Sequence, residues 1–109
     1  MYHVRFFFDA GSGTALWAAD ADTRQVWGYA VELDELPISA PLRAELTSLV
    51  AEYDSSLNWD YPPDPGPWRE PRCRRFNQAV RQSVGRLRAE LGPSWVIDDE
   101  FRELHANQT

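Results

Sequence analysis

Apolar residues recur along this chain with two different periods, and the change of period divides it into strands and helices. Over Tyr2 to Phe8 the period is two. Tyr2, Val4, Phe6 and Phe8 fall on one face of an extended segment, and His3, Arg5 and Phe7 on the other. The run Asp9-Ala10-Gly11-Ser12-Gly13-Thr14 supplies turn chemistry, with glycines free to take positive φ, and a second strand is expected over Thr14 to Ala18. Asp20 to Tyr29 begins with capping residues and stops at Gly28, which predicts a helix of about two turns. Tyr29 to Ile38 reads as a connector in which Ala30, Leu33 and Leu36 alternate with acids.

Helical periodicity then takes over. Leu42, Leu46, Leu49, Val50, Tyr53 and Leu57 recur at steps of 4, 3, 1, 3 and 4, behind Ser39 as N-cap and Pro41 in the first turn. Phe76, Val80, Ser83, Val84, Leu87 and Leu91 repeat those steps in a second helix, about Glu70 to Leu91, ended by Gly92-Pro93. A third strand is expected at Trp95-Val96-Ile97, followed by the acids Asp98, Asp99 and Glu100 and a polar tail. Together these elements predict a single α+β domain over residues 1–109. It has a small antiparallel three-stranded sheet in the order 2-1-3, two long amphipathic helices on one face, and one short helix. The first strand belongs in the middle because Phe7 makes its second face partly apolar.

Composition narrows the function classes. No apolar run is long enough to span a bilayer, and the start Met-Tyr-His-Val-Arg lacks a secretion signal, so a cytoplasmic location is expected. One cysteine, Cys73, allows neither an internal disulfide nor a multi-cysteine metal site, and its place near an apolar stripe reads as a buried, inert thiol. All 11 basic residues are arginine, against 17 acids, for a net charge of −6. Residues 1–66 hold 3 Arg and 11 acids, whereas residues 67–109 hold 8 Arg and 6 acids. Such a balance disfavours nucleic acid and favours steering toward a basic protein.

Two segments are candidates for binding. The proline-rich connector from Asn58 to Trp68 is stiffened toward polyproline II and offers aromatic area flanked by acids. It is a preorganised recognition loop with Trp59, Asp60, Tyr61, Pro63, Asp64 and Trp68 as partner contacts, or else a brace that tucks its aromatics against the helices it joins. The turn, through Asp9, Ser12 and Thr14, together with Arg74 and Arg81 of a seven-residue arginine ladder, is a possible ligand site; the better reading of the ladder is arginines that cover the borders of the apolar stripe with their stems and pair with acids on neighbouring elements. The only histidines, His3 and His105, lie at opposite ends of the chain, and no catalytic residues, metal ligands or cofactor are assigned.

The turn Phe8-Asp9-Ala10-Gly11-Ser12-Gly13-Thr14 resembles the first phosphate-binding hairpin of the actin-like ATPase superfamily, including its apyrases. The resemblance implies an Asp near a metal-bound water and backbone amides around phosphate oxygens. That family closes two domains on its nucleotide with a second hairpin and an adenosine pocket. A chain of 109 residues does not hold them, so the turn reads as a structural reversal. The whole pattern of Phe-rich strand, Asn-Trp-Asp-Tyr-Pro-Pro loop and Glu-Leu-Gly-Pro helix end is similar to small acidic single-domain proteins of actinobacteria, a resemblance that implies no functional residues. The function expected is an acidic cytoplasmic interaction module of the immunity or antitoxin type, acting on a basic protein, with the question of an enzymatic activity left open. The alternative is a small-ligand or phosphate-binding accessory domain that uses the turn from Asp9 to Thr14.

Overall fold

Strand β1, Tyr2–Phe6, sits between two neighbours, and its alternation decides which side of the sheet is covered. Val4 and Phe6 point inward and are fully buried, while His3 and Arg5 face outward. The computed structural model describes residues 1–57 and 67–106. On one side β1 pairs antiparallel with β2, Leu16–Ala18, with Arg5 opposite Trp17. On the other it pairs in parallel with β4, Trp95–Asp99, with Val4 opposite Ile97. Beyond β2 lies the two-residue strand β3, Ala30–Val31, which gives the order β3-β2-β1-β4.

The expected order 2-1-3 therefore survives as β2-β1-β4, with two corrections. The sheet is mixed, not antiparallel, because hydrophobic alternation specifies the face of a strand and not its direction. Parallel pairing needs a long crossover, and the helices between β1 and β4 provide it. The fourth strand, β3, falls in the stretch read as a connector. Two residues are too few to show a period, and β3 is fixed instead by pairing Leu16 with Val31 and by the Thr14 hydroxyl, which donates to the Val31 carbonyl at 2.6 Å.

The helices form where capping and periodicity place them. Helix α1, Ala21–Trp27, is capped by Asp20, whose carboxylate accepts from the Thr23 amide at 2.8 Å, and it ends at Gly28, φ 82°. A single 3-10 turn, Leu33–Glu35, follows β3. Helix α2, Ala40–Ser55, starts at Ser39 with Pro41 in its first turn. Helix α3, Glu70–Leu91, ends at Gly92. Leu42, Leu46 and Leu49 of α2 and Phe76, Val80, Val84 and Leu87 of α3 share one core with Val4, Phe6, Leu16, Val31 and Ile97 of the sheet. Truncating a buried phenylalanine in such a core costs about 3–5 kcal/mol.

The ends of the two helices are tied by a charge-assisted cap. Glu90, in the last turn of α3, accepts from the Ser39 amide at 2.6 Å and from its hydroxyl at 2.8 Å, while the same hydroxyl accepts from the Leu42 amide. These bonds hold the Glu90 carboxyl below the usual glutamate range.

Residues 101–106, expected as part of a polar tail, form an irregular strap along α3. The Asn77 side chain, almost completely buried, donates to the Leu104 carbonyl at 2.9 Å and accepts from the Leu104 amide at 2.8 Å. Phe101 and Leu104 pack against the core, and the Ala106 amide donates to Glu70. Asn77 and its two backbone partners sit in a continuous helix pattern and a polar stretch, where no hydrophobic period marks them.

Two outcomes are expected. A carboxyl whose folded pKa is depressed stabilises fully above its ordinary value, here 4.5 for Glu90, and loses that contribution as pH falls through the folded value. Glu90→Gln is therefore less stable than the parent in urea titrations at pH 7, and the gap closes as pH drops from about 5 toward 3. Asn77→Ala leaves both backbone groups of Leu104 unpaired and costs about 1–3 kcal/mol. Amide exchange at residues 101–106 rises in that variant; unchanged protection there means the strap is held by Phe101 and Leu104 alone.

Candidate functional site

The side of the sheet opposite α2 and α3 carries a continuous layer of aromatic and charged groups. Trp17, opposite Arg5 in register, lies on this outer side. Its ring stacks on Phe7 at 5.0 Å and 12°, and its indole nitrogen donates to the Phe7 carbonyl at 2.9 Å. Tyr29 rests against Trp17 at 5.4 Å and remains 50% exposed. The Arg5 guanidinium lies over the Phe7 ring at 5.2 Å and donates twice to Glu100, at 2.7 and 2.8 Å. That bidentate contact holds the Glu100 carboxyl below its usual range. Nearer the start of the strand, His3 meets Asp98 at 2.6 Å, and Val96 stands beside them.

Where this layer meets the strap, a groove of about 390 Å³ opens between Arg5, Phe7, Phe8, Tyr53, Phe101 and Leu104. Phe8 is its hub, stacked on Tyr53 at 5.0 Å and set edgewise to Phe101 at 5.8 Å. Burial, with Asp9 and Asp54 nearby, pushes the Tyr53 phenol above its ordinary value, so its hydroxyl keeps its proton at neutral pH.

The turn from Asp9 to Thr14 is engaged by the chain's own groups. Glycines 11 and 13 take φ of 76° and 79°, and the connection runs from Phe7 to Ala15, longer than a tight hairpin. The Gly11 amide donates to the Asp54 carboxylate at 3.1 Å, the Ser12 amide to the Asp9 carbonyl, and the Thr14 amide to the Ser12 hydroxyl. Thr14 is buried with its hydroxyl on Val31. The concavity that would receive an anion is thus occupied by a carboxylate from the end of α2.

Arg74 and Arg81 do share a groove, of about 600 Å³, with Asn77, Glu70, Glu103 and His105. Within it Arg81 pairs with Glu103 at 3.1 Å and the His105 ring meets Glu70 at 3.6 Å. Trp68, expected as a partner contact, is instead a core residue, 7% exposed, with its ring edgewise to Phe76 and its face covered by Arg72 at 4.3 Å. Trp59, Asp60, Tyr61, Pro63 and Asp64 lie outside the described residues.

Chemistry is sparse. Cys73 is buried and burial pushes its thiol pKa up, so it stays protonated and weakly nucleophilic. His3 and His105 are each engaged by a separate carboxylate. Among the described residues no group of three or more His, Cys, Asp or Glu is placed to hold a metal ion. No helix among them is long and apolar enough to cross a membrane.

The outer layer went unrecognised in the sequence because its members come from separate elements: Arg5 and Phe7 at β1, Trp17 in β2, Tyr29 before β3 and Glu100 after β4. The available signal was Phe7, an aromatic on the face that otherwise carries His3 and Arg5.

No curated protein matches the chain. A family model described as Serratia CdiI immunity protein-like matches residues 3–98, a span that opens inside β1 and closes inside β4 and contains all but the outermost residues of the sheet together with both long helices. With a match over most of its length, this chain belongs to the Serratia CdiI immunity protein-like family.

Proposed function

We propose that the chain is an immunity protein that acts in the cytoplasm by binding a toxic protein with a basic surface and covering the site that protein needs. The observation that carries this reading is the family match over residues 3–98. A protein-interaction module of the immunity type has no need of a nucleophile, a metal or a cofactor; it needs a firm scaffold and a complementary surface.

The basic character of the partner is supported by the charge of the chain and its distribution. The net charge is −6, and the acids are concentrated in the part that precedes α3. Arg43, a cation within that part, is committed to backbone: it donates to the carbonyls of Leu33, Leu36 and Ile38. The nearby carboxylates Glu32, Asp34 and Glu35 remain exposed. Surplus negative potential of this kind accelerates encounter with a positive partner. The loop residues Trp59, Asp60, Tyr61, Pro63 and Asp64 are proposed as additional contacts, on the strength of their composition.

Co-expression with a toxin domain identified by sequencing the genes adjacent to this one tests the proposal. Cells producing that domain are expected to grow only when this chain is present, and the two proteins to elute as one complex. The association rate should fall at least about tenfold between 10 mM and 500 mM salt, as screening shortens the reach of the field. Growth arrest that the chain does not relieve, with no complex formed, sinks the reading; a complex whose association ignores salt sinks the basic-partner part alone. The occupied turn generates a separate expectation. Calorimetry with ATP or pyrophosphate and Mg²⁺ should give no heat, whereas heat abolished by Asp9→Ala would restore the phosphate alternative.

A further inference from the structure

The family places a protein-binding role on the chain but not on any surface of it. Three surfaces compete. The exposed side of α3 carries Arg69, Arg72, Arg74, Arg75, Arg81 and Arg86, which would repel a positive partner. The groove beside it is already neutralised by Glu70 and Glu103. The outer face of the sheet differs from both in shape and in charge.

Its centre is aromatic and held in place. Tyr29 is half exposed although it leans on Trp17, which is stacked on Phe7, which in turn lies under Arg5. Of the four large apolar side chains that are exposed among the described residues, Tyr29 and Val96 both belong to this face. An exposed aromatic fixed by its neighbours loses little entropy on binding, and tyrosines of this kind dominate interface energetics. The borders are acidic. Asp98 and Glu100, on the His3 and Arg5 side of the sheet, lie at the end of β4 at one edge, and Glu32, Asp34 and Glu35 follow β3 at the other. Of these five, Asp98 and Glu100 are paired on this face with His3 and Arg5.

We propose that this outer sheet face, with Tyr29, Phe7 and Arg5 at its centre, supported from beneath by the buried Trp17, and carboxylates along both edges, is the surface on which a positively charged protein docks. It rests on the immunity reading above. The aromatic centre supplies the desolvated contact area, and lysines or arginines of the partner meet the carboxylates of the two edges. A second copy of this chain is the less suitable occupant, since it would bring the same acidic edges against one another.

The test uses the purified complex with the adjacent-gene toxin domain and four variants whose fold is verified by thermal melting. Tyr29→Ala is expected to weaken binding about thirtyfold, the loss of one central aromatic anchor. Paired reversal Glu32→Arg with Glu35→Arg should slow association about tenfold and flatten its salt dependence. Arg75→Ala and Gln78→Ala, on α3, should leave affinity within about twofold. Unchanged binding by folded Tyr29→Ala, or strong losses confined to the α3 variants, overturns the assignment of the face while leaving the immunity reading intact. Self-association of the free chain that Tyr29→Ala abolishes also overturns it, in favour of a homodimer. If no complex forms at all, both readings fall together.

Discussion

The structure depends on β1 having a neighbour on each side and different demands on its two faces. Once β2 and β4 are paired with it, Val4 and Phe6 have to be covered from one direction only, and the α2–α3 pair covers them. Both helices stack on the same side because both have a single apolar stripe. Among the described residues no helix covers the other side. Its residues meet that condition in two ways, by pairing charge across strands, as in His3–Asp98 and Arg5–Glu100, and by stacking rings on one another, as in Phe7 and Trp17. A face stabilised within its own plane needs no further layer to be stable, and so is available to another molecule.

Closing the helical layer requires its two ends to be fixed, and different chemistry does this at each. At one end Glu90 of α3 caps the start of α2 through Ser39. Near the other, Asp54 of α2 receives the Gly11 amide, so the turn between β1 and β2 is attached to the helical layer by the same groups that an anion-binding turn would offer a ligand. Side-chain carboxylate and phosphate are interchangeable as acceptors for such amides. This explains why the turn bears the features of a phosphate-binding hairpin while serving to join sheet and helix.

Features that repeat within one element were legible in the sequence. The bounds of α3, the stripe of α2, the Asp20 and Ser39 caps and the inward set of β1 all follow from local periods and capping chemistry. What was not legible depends on pairs distant along the chain. β3 is two residues held by partners at Leu16 and Thr14, the direction of β4 is decided by the path of the helices before it, and the strap is held by Asn77, which lies 27 residues before Leu104. Trp68 illustrates the same limit. In the sequence it belongs to a proline-rich loop of exposed character, whereas in space it closes the core over Phe76, and only its contacts distinguish an anchor for a partner from an anchor for the fold.

Charge is the remaining link between fold and role. The arginines of α3 are numerous, but Arg81 and Arg86 pair with Glu103 and Glu90, and Arg88 donates to the Ile97 carbonyl of β4. These contacts join α3 to the strap, to its own last turn and to the sheet, so the cations serve internal cohesion on the side where they lie. In the first half, Arg43 is turned to backbone, donating to the carbonyls of Leu33, Leu36 and Ile38, while Glu32, Asp34 and Glu35 stay exposed. A chain whose arginines gather on α3 and whose carboxylates Glu32, Asp34 and Glu35 lie exposed beside β3 has a directional field as well as a net charge. On the proposed reading, such a field would steer a positive partner toward the sheet before any contact is made, and it would work against two copies meeting face to face.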